Sequence, residues 1–156
     1  MKLLAIDSGT YESAWVLFEH PHVLAHDIEP NVNVLGTINR YALLPVWLEM
    51  IASYGMPVGE EVFETAVWIG RFMEAACLNG SRVERVTRVQ VKTHLCHSAR
   101  AKDSNVWQAI LDRFGGKAAA VGNKAAAGPL YGITSHARAA LAVALYAHDC
   151  SRKNDD

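Results

Sequence analysis

MKLLAIDSGTYESAWVLF, residues 1–18, decides how the rest of the chain is read. Leu3, Leu4, Ala5 and Ile6 form a short apolar run that ends abruptly at Asp7-Ser8-Gly9-Thr10, after which Ser13–Phe18 resumes a second run rich in strand formers. The pattern predicts a β-hairpin whose first strand is buried. Asp7 falls where that strand leaves the core, and a carboxylate there is costly unless it is paired, hydrogen-bonded or bound to a cation. Two readings stand at this point: a metal ligand, or an acceptor for the turn amides of Ser8, Gly9 and Thr10.

Beyond the hairpin, Val23–Ile28 lies between Pro21 and Pro30 and predicts a third strand, so that three antiparallel strands follow one another. Asn31–Tyr41 predicts a short helix crossing a sheet edge. Leu43–Ser53, LLPVWLEMIAS, is a nearly continuous apolar run that predicts a strand buried on both faces, with Glu49 a second anomalous acid. Arg40 or Lys92 could pair with it; alone it would strongly destabilise the fold. Tyr54–Gly59 reads as a loop. Glu60–Asn79 has helical spacing, with Phe63, Ala66, Val67, Gly70, Met73, Ala76 and Cys77 on one face, acids at its start and Gly80 at its end.

Val83–Val91 alternates valine with charge and predicts an edge strand with Arg85 and Arg88 facing solvent. Asp103 is placed to cap a helix that runs to Phe114 and stops at Gly115-Gly116. Gly115–Gly132 reads as a mobile loop offering Lys117 and Lys124 to phosphates. Thr134–His148 predicts the last helix, capped by Thr134 or Ser135 with His136 in its first turn, and Ser151–Asp156 a frayed polar tail.

With 156 residues, 51% of them hydrophobic, the chain can bury one core, so residues 1–150 are read as a single domain. The net charge of -1 hides an asymmetry. Nine acids between residues 1 and 64 face only Lys2 and Arg40, whereas nine bases between residues 81 and 124 face three acids. An acidic half that collects cations beside a basic half that holds phosphates suits a metal-dependent nuclease, although many soluble enzymes share the layout. Cys77, Cys96 and Cys150 lack CxxC spacing, and no signal peptide or long apolar span is evident, which fits a reducing cytoplasm. His94, Cys96 and His97 match no common zinc spacing.

Asp7 and Glu49 on two strands, with His136 at the head of the final helix, form a pattern that resembles the RuvC family of Holliday junction resolvases, in particular its compact phage-type members, within the RNase H-like superfamily. The likeness covers most of the chain. LLAIDSGT looks like the family's strand-one Asp-x-Gly-Ser/Thr element, VWLEMI like its Glu-bearing strand, VQVKTHLCHSARAKDSNVWQAI like its Val-Lys and Ala-x-Lys segment, and HARAALAVAL like its closing helix.

This resemblance implies an α/β, RNase H-like fold: a mixed five-stranded sheet, three antiparallel strands then two parallel, flanked by helices. It implies Asp7, Glu49 and His136 as catalytic residues and ligands of divalent metal, two Mg²⁺ or Mn²⁺ ions about 4 Å apart with Asp7 between them. Lys92 and Lys102 would lie near the DNA backbone, and Arg100, Lys117 and Lys124 add charge for phosphates. The substrate would be a four-way junction and the working unit a homodimer joined through the Glu60–Asn79 helix, with no nucleotide cofactor and no membrane partner.

One departure stands out: many relatives end with two acids three residues apart, where this chain has His136 and Ala139. That leaves room for a junction-binding protein that no longer cleaves, or for an RNase H-like nuclease with another substrate. LAIDSGT also looks like the first phosphate loop of the actin, Hsp70 and sugar-kinase superfamily, whose members bind ATP between two such lobes where this length supplies one.

Overall fold

In the computed structural model, which describes residues 1–155, Leu3 to Ile6 are wholly buried and the hairpin forms as its pattern requires. Strand β1 (Lys2–Asp7) pairs antiparallel with β2 (Glu12–Glu19), setting Asp7 opposite Ala14, and β2 pairs antiparallel with β3 (His22–Pro30). Pro30 is tolerated because β3 is an edge strand. Helix α1 (Asn31–Arg40) buries Val34 and Ile38, so it lies over a face of the sheet and does not merely cross its edge. β4 (Val46–Met50) returns beside β1 in parallel, and helix α2 (Glu60–Leu78) leads to β5 (Val83–Thr87), parallel to β4. The sheet order is β3-β2-β1-β4-β5, three antiparallel strands followed by two parallel ones. Four more helices follow: α3 (Arg88–Cys96), α4 (Asp103–Arg113), the short α5 (Lys117–Ala120) and α6 (His136–Asp155).

Strand alternation sorts the core into two layers. Leu4, Ile6, Trp15, Leu17, Val46 and Leu48 point toward α1 and α2. Leu3, Ala5, Ala14, Val16 and Phe18 point the other way, onto α6 with Leu141 and Leu145 and onto α4 with Ile110. Full burial of each large aliphatic side chain in these layers contributes about 1.5–3 kcal/mol. Asp7 continues the odd-numbered series of β1, so its side chain belongs to the α6 face.

Several expected elements differ. The strand expected over Leu43–Ser53 is only five residues long, because residues 41–44 turn and residues 51–59 form a loop. In α2 the buried stripe is Thr65, Ile69, Phe72 and Ala76; of the face grouped by spacing, Ala76 packs inward while Phe63 and Val67 are 63% and 56% exposed. The strand expected over Val83–Val91 ends at Thr87, which caps α3: Thr87 Oγ1 accepts from the Gln90 amide and Gln90 Oε1 accepts from the Thr87 amide. Arg88 therefore opens a helix and is not a solvent-facing strand residue.

Asp103 is the first residue of α4 and not its cap, a position taken by Lys102. Gly115–Gly132 is folded, with α5, a bridge between Gly122 and Ala127, and a fully buried Leu130. Gly128 passes so close to the Ala119 and Ala120 carbonyls that no Cβ could fit. The tail expected from Ser151 is helical to residue 155, and Asp156 lies outside the described residues. His94 pairs with Asp149 at 2.6 Å and ties α3 to α6.

The turn after β1 is held by a buried polar clamp in which Asp7 takes no part. Ser13 Oγ donates to Asn31 Oδ1 at 2.6 Å and accepts from the Gly9 amide at 3.1 Å, while Asn31 Nδ2 donates to the Gly9 carbonyl at 3.0 Å. Both side chains are 1% exposed, so loss of either strands a buried partner. Asn31→Ala is expected to lower unfolding free energy by about 2 kcal/mol in urea titrations; an unchanged midpoint would show that the clamp does not hold the turn.

Candidate functional site

The parallel register pairs Leu4 with Val46, Ala5 with Trp47 and Ile6 with Leu48. One step further sets Asp7 beside Glu49, both on the α6 face at the C-terminal ends of their strands, where side chains leave the core together. Asp7 and Glu49 side chains are only 12% and 14% exposed. Both line a cleft of about 880 Å³ with Arg88, Lys92, Asp103, Lys117, His136, Arg138 and Ala139.

Each neighbour is delivered by the start of a helix. His136, first residue of α6, brings Nδ1 to 2.9 Å from Asp7 Oδ2, with its ring 69% exposed. The turn-amide reading of Asp7 therefore gives way to an imidazole partner. Arg88 donates from Nη1 to Glu49 Oε1 and Oε2 at 3.2 and 3.4 Å, and from Nη2 to Asp103 Oδ1 at 2.6 Å. Lys92, one turn along α3, stands 3.6 Å from the same Asp103 oxygen. The partner of Glu49 is thus Arg88 and neither Arg40 nor Lys92.

Two largely buried carboxylates side by side resist ionisation together. Burial, then the charge of Asp7, push the Glu49 carboxyl from its ordinary 4.5 up to about 7, and Arg88 only partly offsets them. Burial likewise raises Asp7, against the opposing pull of His136 and Arg88. The exposed Asp103 moves the other way, held down chiefly by its hydrogen bond to Arg88.

The donor set fits a divalent cation: hard carboxylate oxygens that repel one another when empty-handed, an imidazole alongside, and an open cleft in front. It is not a closed ligand cage. Among the described residues no three His, Cys, Asp or Glu side chains converge on one ion position, because Glu49 is turned toward Arg88 and His136 toward Asp7.

Of the basic residues singled out by sequence, Lys92 and Lys117 line the cleft. Arg100 and Lys102, between α3 and α4, and Lys124, after α5, are exposed on the adjoining loops. Arg88 and Asp103 are the site residues that sequence reasoning misplaced; the Thr87-x-x-Gln90 spacing was the signal that ends the strand early and turns Arg88 inward. Arg138 and Trp107 were not foreseen at all. The Arg138 guanidinium lies 4.2 Å from the Trp107 ring centroid, forming a flat cationic wall of the cleft.

No protein-family model matches the sequence, and no curated protein matches it significantly. Solved structures do. Thermus thermophilus RuvC is 20% identical, with 99% of this chain and 97% of that one covered at a TM-score of 0.68. The same T. thermophilus protein in complex with Holliday junction substrate is 20% identical, with 99% and 96% covered at a TM-score of 0.69. Sheet order, flanking helices and near-complete coverage at these TM-scores lead to one conclusion: this chain has the RuvC-like form of the RNase H-like fold.

Proposed function

We propose that the chain is a divalent-metal-dependent endonuclease that cleaves four-way and related branched DNA junctions by phosphodiester hydrolysis. The observation that carries this reading is the largely buried Asp7–Glu49 pair lining a cationic cleft, on a fold shared with a protein seen in complex with a Holliday junction substrate. Asp7, Glu49 and His136 would hold Mg²⁺ or Mn²⁺, which when bound lowers the pKa of water and neutralises the charge that builds on the phosphate.

The chain's own residues supply the rest. With Asp7 ionised, His136 Nδ1 donates to Oδ2, which fixes the ring and leaves one lone pair, on Nε2, facing outward either to join the cation's ligands or, where it does not, to take a proton from the attacking water. Lys92 and Lys117 in the cleft, with Arg100, Lys102 and Lys124 around it, would grip phosphates without reading bases. Selectivity for a junction then rests on shape and on two sites at a fixed spacing. The outward apolar face of α2, with Phe63 and Val67, is the surface we assign to a second copy. The three free cysteines suit a reducing compartment such as the cytoplasm.

A junction-binding protein without cleavage is the second reading. Ala139 favours it, since this cleft-lining position carries no acid where many RuvC relatives have one.

A synthetic four-way junction and a linear duplex, each incubated with Mg²⁺ or Mn²⁺, separate these readings. Wild type is expected to nick the junction, with Asp7→Asn slower by about a hundredfold or more; junction binding without nicks in either metal would establish the second reading. At sub-saturating metal, where the cation competes with the Glu49 proton, nicking should rise as pH is raised through about 7. A rate independent of pH between about 6 and about 8 would contradict that assignment.

The same acid makes the metal-free fold pH-sensitive. The folded state keeps the Glu49 proton up to about 7 while the unfolded chain releases it near 4.5, so stability falls as pH rises through that window, by about 3 kcal/mol in all. Glu49→Gln is therefore expected to unfold at higher temperature than wild type at pH 8 without metal, and no higher at pH 4. Equal melting at both pH values would mean that Glu49 is not strained.

A further inference from the structure

The cleft already contains a fixed cation. Arg88 bridges Glu49 and Asp103, two acids 54 positions apart in the chain, with both Glu49 oxygens and Asp103 Oδ1 as acceptors. Its backbone is pinned by the reciprocal Thr87–Gln90 cap, so the guanidinium is presented from a fixed helix end. A planar cation spanning two carboxylates does for them what an ion shared between them would do.

Charge sets a limit on what can be added. Three carboxylates of the cleft, Asp7, Glu49 and Asp103, face four permanent cations, Arg88, Lys92, Lys117 and Arg138, a formal balance of +1 with His136 neutral. One divalent ion takes this to +3, which a polyanionic backbone can answer. Two take it to +5, with Glu49 divided between an ion and the guanidinium and Ala139 offering no donor in compensation.

Building on the metal-dependent reading above, we propose that Arg88 stands in for one of the two ions expected from the resemblance, so that this centre takes a single divalent cation beside Asp7. Arg88 is then a positioning residue: it fixes the Glu49 carboxylate and supplies permanently the charge that a second ion would bring.

Mn²⁺ binding to the full chain, followed by loss of the free-ion electron paramagnetic resonance signal, tests this without any turnover. Wild type is expected to take up one Mn²⁺ per chain, Arg88→Lys one, and Arg88→Gln two, with unchanged far-ultraviolet circular dichroism. Two ions in wild type, or one in both wild type and a folded Arg88→Gln, overturns the role of Arg88 and leaves the metal-dependent reading intact. No uptake by any of the three proteins at millimolar Mn²⁺ overturns that reading, and this inference with it. Should Arg88→Gln fail to fold, the wild-type stoichiometry decides alone: one ion supports the inference and two refute it.

Discussion

Mutual repulsion between two largely buried carboxylates, Asp7 and Glu49, is the constraint around which this molecule is organised. Parallel pairing of β1 with β4 sets them side by side, and the pleat aims both at the α6 face. A fold selected only for stability would place apolar side chains at these two positions, as it does at every other inward position of β1. Keeping two acids there costs stability, which a proton on Glu49 and the Arg88 guanidinium offset in part and a bound cation could offset further.

What surrounds the pair follows from where helices begin. α3, α4 and α6 start at or near the cleft, and their first residues, Arg88, Asp103 and His136, reach into it or line it. Helix starts are rigid and are held by caps or by packing, so each side chain comes from a fixed origin. His136 answers Asp7 and Arg88 answers Glu49, giving each acid its own partner and leaving the cleft between them open. The basic side chains beyond turn an acidic floor into a cleft of net positive charge, suited to a polyanion that approaches with its phosphates first.

Much of this was legible in the chain itself. The abrupt end of LLAI at Asp7 and the lone Glu49 in an apolar run are anomalies that any half-buried sheet makes visible, and the arrangement of three antiparallel strands followed by two parallel ones was implied by the resemblance to the RuvC family. The register that joins Asp7 to Glu49 was not legible, because it depends on which strands become neighbours. The Arg88 bridge was hidden by valines at 83, 86, 89 and 91, whose β-branched spacing continues a strand pattern past a helix cap. The inner face of α2 was not legible for a similar reason: with apolar residues almost all round the helix, periodicity alone could not say which stripe meets the sheet, and packing against β4 and α1 selects Ile69 and Phe72 and leaves Phe63 and Val67 outside.

The position of a bound ion tests the central claim most directly. Crystals soaked in Mn²⁺ and measured at the manganese absorption edge are predicted to show an anomalous peak in contact with the Asp7 carboxylate, within the cleft shared with Glu49 and His136. A peak elsewhere on the surface, or none at an occupancy that the soak should reach, would contradict the account.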